Sequence, residues 1–259
     1  MDLGIKGRRA IVCASSRGLG KACAMALAEA GCEIFLNGRD EAALNAAAKE
    51  IADATGAKVH VTLGDVGSGT VRAALLAACP KADILVNNNG GPPPKPFASI
   101  TKEDILAGVE ANMLTPILLA QAMIEGMAAR GFGRIVNITS GSVRAPIAGL
   151  DVSSGARAGL TAFLAAAARA HAAHNVTINS IQPGVFDTDR IKNMIRGTAE
   201  RTGQDEAALR EARKATIPAK RFGTPEEFGA LCAYLCGAQS GFITGQNILI
   251  DGGAFPGAF

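Results

Sequence analysis

The chain is poor in the groups that most often carry chemistry. Its 259 residues include three histidines and one tyrosine. No two of its six cysteines, Cys13, Cys23, Cys32, Cys79, Cys232 and Cys236, form a C-x-x-C pair. With so few histidines, that spacing leaves no zinc site to expect, although Cys232 and Cys236 share a helix face. The thiols lie in apolar runs and read as small buried hydrophobes of a reduced cytosol. Excess charge is equally scarce. Lys and Arg number 26 against 23 Asp and Glu, leaving a net charge of +3, which is no electrostatic footprint for nucleic acid. The N-terminal stretch MDLGIKGRRAIV lacks an apolar core of signal-peptide length. The longest uncharged run, Phe228 to Ile250, is broken by Gly237, Gly241 and Gly245. It fits helix, turn and strand better than a membrane span. A cytoplasmic protein with neither nucleic-acid nor membrane partner is expected.

What is present is an alternation. Ala10–Cys13, Glu33–Asn37, Lys58–Leu63, Asp83–Asn87, Arg134–Ile138, Thr177–Ile181 and Asn247–Ile250 read as strands. Most are continuous apolar runs, as parallel strands buried on both faces require. Helical patterns fill 18–30, 40–55, 69–79, 101–130, 154–174 and 225–236. Such alternation implies a parallel sheet covered by helices on both sides. The charged segment 187–216 interrupts it and reads as helical excursions over one end of the sheet, a lid or a solvated insertion.

The first strand runs into CASSRGLGKA, where Gly18 and Gly20 open a helix. Backbone amides at a helix N-terminus, uncovered by side chains, suit a pyrophosphate. The end of the second strand selects the dinucleotide. An acid there would bind a ribose 2′-hydroxyl, but the chain reads FLNGRD, with Gly38 at the expected place. Arg39 and Arg17 can instead pair with a 2′-phosphate by forked hydrogen bonds. NADP(H) is therefore favoured over NAD(H). The competing acid, Asp40, fits the cap of the next helix.

Taken together these motifs resemble the short-chain dehydrogenases/reductases along nearly the whole chain, most of all the 3-oxoacyl-carrier-protein-reductase-like branch. CASSRGLG stands where that family has T-G-x-x-x-G-x-G, GDV at 64–66 where it has its adenine-contacting Asp, and NNNG at 87–90 where it has N-N-A-G. NSIQPGVFDT and ITGQNILIDGG match the two later motifs. The resemblance implies one Rossmann-like doubly wound α/β domain over 1–259 with a seven-stranded parallel sheet, a homotetramer, and hydride transfer between a nicotinamide and a small-molecule carbonyl or alcohol. It places the cofactor on Ser15, Ser16, Arg17, Gly18, Leu19, Gly20, Arg39, Asp65, Val66, Asn88, Gly90, Pro183, Gly184 and Thr188. It assigns the active-site Asn to Asn112 and the catalytic Ser to Ser140.

Two departures matter. Ala14 replaces the first Gly of the loop, which is tolerated at negative φ and forces an adjustment at positive φ. The family's Tyr and Lys, four residues apart, are Ser153 and Arg157 here. A serine hydroxyl titrates far above a phenol and arginine stays protonated, so the pair cannot copy that acid. Nor can Tyr234, in LCAYLCGA, which reads as packing. Three roles are open. Ser140 and Ser153 can both donate to a substrate oxygen, with Arg157 supplying charge and water the proton. Arg157 can grip the nicotinamide ribose or a substrate carboxylate. Or Ser153 caps the helix and Arg157 is an ion-pair partner. Asp151 is a substitute acid or a turn residue. Lys95, in GGPPPKPF, and Arg144 can meet an anionic substrate or serve the surface. Pro116, four residues past Asn112, cannot donate to the Asn112 carbonyl, which can then hold a relay water or only kink the helix. The leading expectation is an NADP(H)-dependent oxidoreductase with an altered proton step. Its rival is a catalytically silent NADP(H)-binding protein.

Overall fold

Seven parallel strands in the order β3-β2-β1-β4-β5-β6-β7 form the centre of the computed structural model, which describes residues 2–257. In chain order the elements are β1 (Arg9–Val12), α1 (Gly18–Glu29), β2 (Glu33–Gly38), α2 (Glu41–Thr55), β3 (Val59–Leu63), α3 (Gly69–Ala78), β4 (Ile84–Asn87), α4 (Lys102–Val109), α5 (Thr115–Ala129), β5 (Gly133–Ile138), α6 (Asp151–His171), β6 (Val176–Pro183), α7 (Asp189–Thr202), α8 (Glu206–Ala215), α9 (Pro225–Cys236) and β7 (Asn247–Ile250). Strand order reverses between β1 and β4, and ligands of such sheets bind outside the carboxyl ends of the strands at that crevice.

Alternation of side chains along each strand divides the interior in two. Ala10, Val12, Ile34, Leu36, Val86 and Val136 pack with residues of α1, α2 and α9. Ile11, Phe35, Leu85, Ile135 and Ile178 pack with residues of α3, α5 and α6. Helices therefore cover both faces, as the strand–helix alternation requires. All six cysteines are buried and free, and burial pushes the Cys13, Cys32 and Cys79 thiols up to about 12. Among the described residues no His, Cys, Asp and Glu group has metal-binding proximity.

Local punctuation does what the sequence promises. Asp40 accepts from Ala43 N–H at the head of α2, a bond that, with the neighbouring Arg17, holds its carboxyl below the usual range. Thr101 and Asp104 form a reciprocal capping box, as do Thr224 and Glu227. The segment 187–216 folds as α7 and α8. A small apolar cluster of Ile195, Ile217 and Phe222 packs with Val185, Ile191 and Leu209 beneath it.

Two expectations need correction. The stretch 101–130 is not one helix. A π-helical turn, Glu110–Leu114, separates α4 from α5, because Pro116 has no N–H to continue the regular ladder. Lys102–Ala129 is long and apolar enough to cross a membrane, but its Ile117, Leu119, Met123 and Met127 are buried against the sheet. The Ala-rich helix starts at Asp151, three residues before the expected Ser154. Of the two alternatives at Ala14, the structure takes positive φ, +44°, the left-handed region that glycine adopts without cost. Ala14→Gly is accordingly expected to raise stability by about 1 kcal/mol, seen as a Tm increase of roughly 2–4 °C. An unchanged or lowered Tm would show that no strain is held there.

Candidate active site

The glycine-rich turn between β1 and α1 is built for close approach. Gly18 has φ +58°. A methyl group in place of the Gly20 hydrogen would lie 2.5 Å from the Ala14 carbonyl oxygen and 2.7 Å from Asn88 Nδ2. Asn88 in turn donates to that carbonyl at 3.1 Å, tying the end of β4 to the loop. No side chain caps α1 and no acid stands in its first turn, so the positive end of the helix is bare. Thr188 faces it across the crevice, with its Cγ2 3.8 Å from the Cβ position of Gly18. The Thr188 hydroxyl makes no capping bond to α7. Bare amides, a backbone cradle and an uncommitted hydroxyl fit a pyrophosphate. Pro183 ends β6 beside this crevice, and Gly184 N–H bonds Ile250 O at 2.9 Å.

The adenosine end divides the expected residues. Ser16 lies beside Gly38, where an added Cβ would sit 3.2 Å from Ser16 Cβ and 3.3 Å from Leu44 Cδ1. Arg39 is 75% exposed, with only a loose 3.8 Å pairing to Asp65. Arg17 is committed, donating to Asp40 Oδ2 at 2.8 Å. Asp65 accepts from Gly67 N–H at 2.8 Å, next to buried Val66, and Leu19 packs against the core. Ser15 is a correction. Its side chain is 0% exposed, donates to Val12 O at 2.7 Å and accepts from Asn37 N–H at 3.2 Å. It pins β1 to β2, and its hydroxyl does not face the crevice.

The reacting end draws on three elements. Ser140 follows β5, Asn112 sits in the π-turn, and Ser153 and Arg157 lie one turn apart in α6. Arg157 is 7% exposed. It donates from Nε to Ser153 Oγ at 3.1 Å, from Nη1 to Ile138 O at 2.7 Å and from Nη2 to Asn89 O at 3.1 Å. Burial, with Arg190 nearby, lowers its pKa to about 10, so it stays a cation at neutral pH. Ser153 donates to Asn112 Oδ1 at 3.3 Å, and Asn112 Nδ2 donates to Gly90 O at 3.1 Å. Ser153 is thus inside α6, whose cap position is Leu150, and Arg157 pairs with no carboxylate among the described residues. The cap-and-ion-pair role is overturned.

Other expectations resolve by geometry. Asp151 accepts from Gly149 N–H at 3.1 Å and shapes the turn. Lys95 pairs with Asp104. Arg144 donates to Gln182 Oε1 at 3.1 Å and Asn247 O at 2.9 Å. Behind Asn112, a cavity of about 10 Å³ is lined by Asn87, Thr115, Pro116 and Arg157. Asn87 Oδ1 and Thr115 Oγ1 on its wall have no partner among the described residues. Its volume is that of one water probe, and its wall mixes these polar groups with apolar side chains such as Leu119 and Leu160.

The sequence reading missed a chain of hydroxyls. Ser154 Oγ donates to Ser142 Oγ at 2.9 Å, and Ser142 Oγ donates to Ser140 Oγ at 2.8 Å. Ser142 N–H also donates to Ser140 Oγ, at 3.1 Å. The Ser142 amide fills one lone pair of Ser140 and fixes its oxygen at the end of the hydroxyl chain, where the hydroxyl can rotate to meet a ligand. The only sequence signal was the density of serines in TSGS and SSG. Arg190 was missed as well. A Cβ added to Gly91 would lie 3.2 Å from Ser153 Oγ and 3.5 Å from Arg190 Nη2.

Comparison with known proteins gives the family and the fold. Residues 13–254 match the family model described as enoyl-(acyl carrier protein) reductase. The NADPH-dependent reductase BacG of Bacillus subtilis is 30% identical over 252 residues, covering 95% of this chain and 97% of that one. The 3-oxoacyl-[acyl-carrier-protein] reductase FabG of Aquifex aeolicus is 30% identical over 98% of this chain and 100% of its own. Among solved structures, L-sorbose reductase of Gluconobacter frateurii, complexed with NADPH and L-sorbose, superimposes with a TM-score of 0.94. It is 27% identical, with 99% of this chain and 100% of that chain covered.

Proposed function

This chain belongs to the short-chain dehydrogenase/reductase family, and from that premise we propose that it is an NADP(H)-dependent oxidoreductase. It reduces a small-molecule carbonyl, of 3-oxoacyl or related type, or oxidises the corresponding alcohol, without a tyrosine acid. The single observation carrying the proposal is the Ser140 hydroxyl, its oxygen held by the Ser142 amide at the end of the hydroxyl chain.

The cofactor, when bound, supplies or accepts the hydride. Gly18, Leu19, Gly20 and Thr188 hold its pyrophosphate. Ser16 and Arg39 take the 2′-phosphate, Asp65 and Val66 the adenine, and Asn88, Gly90, Pro183 and Gly184 line the nicotinamide end. Ser140 donates to the substrate oxygen, and the hydroxyl chain from Ser154 polarises that donor. Arg157 adds a fixed positive charge, which stabilises a developing oxyanion where water is excluded. Ser153 accepts from Arg157 and donates to Asn112. It turns its own hydroxyl to the substrate only by giving up the latter bond, so the proton comes from water. The same reading has α7 and α8 as a lid, the cytoplasm as the place of action, and a homotetramer. Exposed Ile105, Leu106 and Phe163 on α4 and α6 support that assembly.

The test pairs NADPH fluorescence with turnover on a carbonyl panel. NADPH binding without turnover above background would overturn the reductase and leave a silent NADP(H)-binding protein. The 2′-phosphate assignment has its own check. Arg39→Ala is expected to weaken NADPH binding about tenfold, the loss of a charge-assisted bond, with NADH binding unchanged. Equal effects on both cofactors would remove Arg39 from the 2′-phosphate.

A further inference from the structure

The cleft beside Ser153 holds more positive charge than its neighbours balance. Arg157 is buried, and its three hydrogen bonds run to a hydroxyl and two carbonyls. Arg190, from the first turn of α7, reaches the same place. Its two terminal nitrogens lie 3.5 and 3.6 Å from the Cβ position of Gly91, with Ser153 Oγ 3.2 Å from that point. Among the described residues, Arg190 has neither an ion pair nor a hydrogen bond.

The nearby acids pair with other groups, and of their buried oxygens only Asp187 Oδ1 is left without a partner among the described residues. Asp187 pairs with Arg210 at 2.5 Å, Asp189 with Lys192 at 3.9 Å, and Asp104 with Lys95. Asp151 accepts from a turn amide. The other cations of the cleft, Lys95 and Arg144, also have protein partners. A buried cation without a counter-charge is costly, and here a second guanidinium stands beside it. Arg190 is exposed, so an anion entering from solvent would balance the pair. Gly91 carries no side chain to separate Arg190 from Ser153, so that anion meets both.

We infer that Arg190, backed by Arg157, makes the substrate pocket an anion site, and that the carbonyl substrate carries a carboxylate close to the reacting carbon. The carbonyl half of this rests on the reductase reading; the anion half does not. Arg190 is a specificity residue that grips the carboxylate by a forked pair of hydrogen bonds, while Ser140 holds the carbonyl oxygen.

An oxo acid and its methyl ester differ by one charge at the same shape. NADPH-loaded wild type and Arg190→Gln are titrated calorimetrically with acetoacetate, levulinate and the two methyl esters. At least one acid is expected to bind wild type about tenfold more tightly than its ester. Arg190→Gln is expected to abolish that preference and leave NADPH affinity unchanged. Equal binding of acid and ester, or no binding of either, overturns the anion site. So does a loss of NADPH affinity in place of the acid preference, which would assign Arg190 to a cofactor phosphate. Turnover in the same samples separates the two proposals: an acid bound with this preference but never reduced overturns the reductase and leaves the anion site standing.

Discussion

Replacing Ser153 by Tyr together with Arg157 by Lys is expected to raise kcat for ketone reduction by about 10²–10⁴-fold, the contribution of a positioned general acid. The site is prepared for the exchange in two respects. Ser153 and Arg157 are one helical turn apart in α6 and already touch, with Nε 3.1 Å from Oγ. A phenol at 153 meets Gly91, which has no side chain, and the Arg190 guanidinium that now lies 3.5 Å from the Gly91 Cβ position; Arg190 is exposed and has to swing aside. A lysine at 157 then sits beside the phenol and lowers its pKa.

The exchange also has a cost. The guanidinium holds the carbonyls of Ile138 and Asn89 at once. A lysine ammonium is a compact donor without that fork. Leaving one buried carbonyl unpaired costs about 1–3 kcal/mol, so the faster variant is expected to melt at lower temperature. Rate and Tm are measured on the same preparation. Unchanged rate with NADPH still bound would mean that the missing acid is not what limits this enzyme.

The second large effect belongs to Ser140. Ser140→Ala is expected to lower kcat by about 10²–10³-fold, the range for loss of one oxyanion-type donor, with NADPH affinity intact. Ser153 donates to Asn112 and Arg157 to backbone carbonyls, whereas the Ser140 oxygen is held as an acceptor by the Ser142 amide. Activity within a few-fold of wild type would move the donor role to Ser153 or to Arg157.

Most of the scaffold was legible because its causes are local. Parallel strands buried on both faces are short runs of branched apolar residues, and the runs beginning near Ala10, Glu33 and Arg134 have that form. Capping boxes are four-residue patterns, so Thr101 and Thr224 announced their helices. The phosphate loop is legible because only glycine permits the approach at Gly20. In each case the deciding contact is within a few residues, or is imposed by the whole sheet.

The site divides differently. That Ser and Arg occupy the proton-handling positions, that no second tyrosine stands in reserve, and that Gly38 rather than an acid ends the second strand are matters of residue type, and sequence alone determines them. Which partner each side chain takes is a matter of tertiary structure. Arg17 meets Asp40 across 23 residues, and Arg144 meets Asn247 across 103. The sign of φ at Ala14, the turn around Asn112, the hydroxyl chain behind Ser140 and the arrival of Arg190 beside Ser153 were likewise decided only when the chain closed on itself. A hydrogen bond or an unbalanced charge is a property of two groups in space, and residue type supplies only one of them.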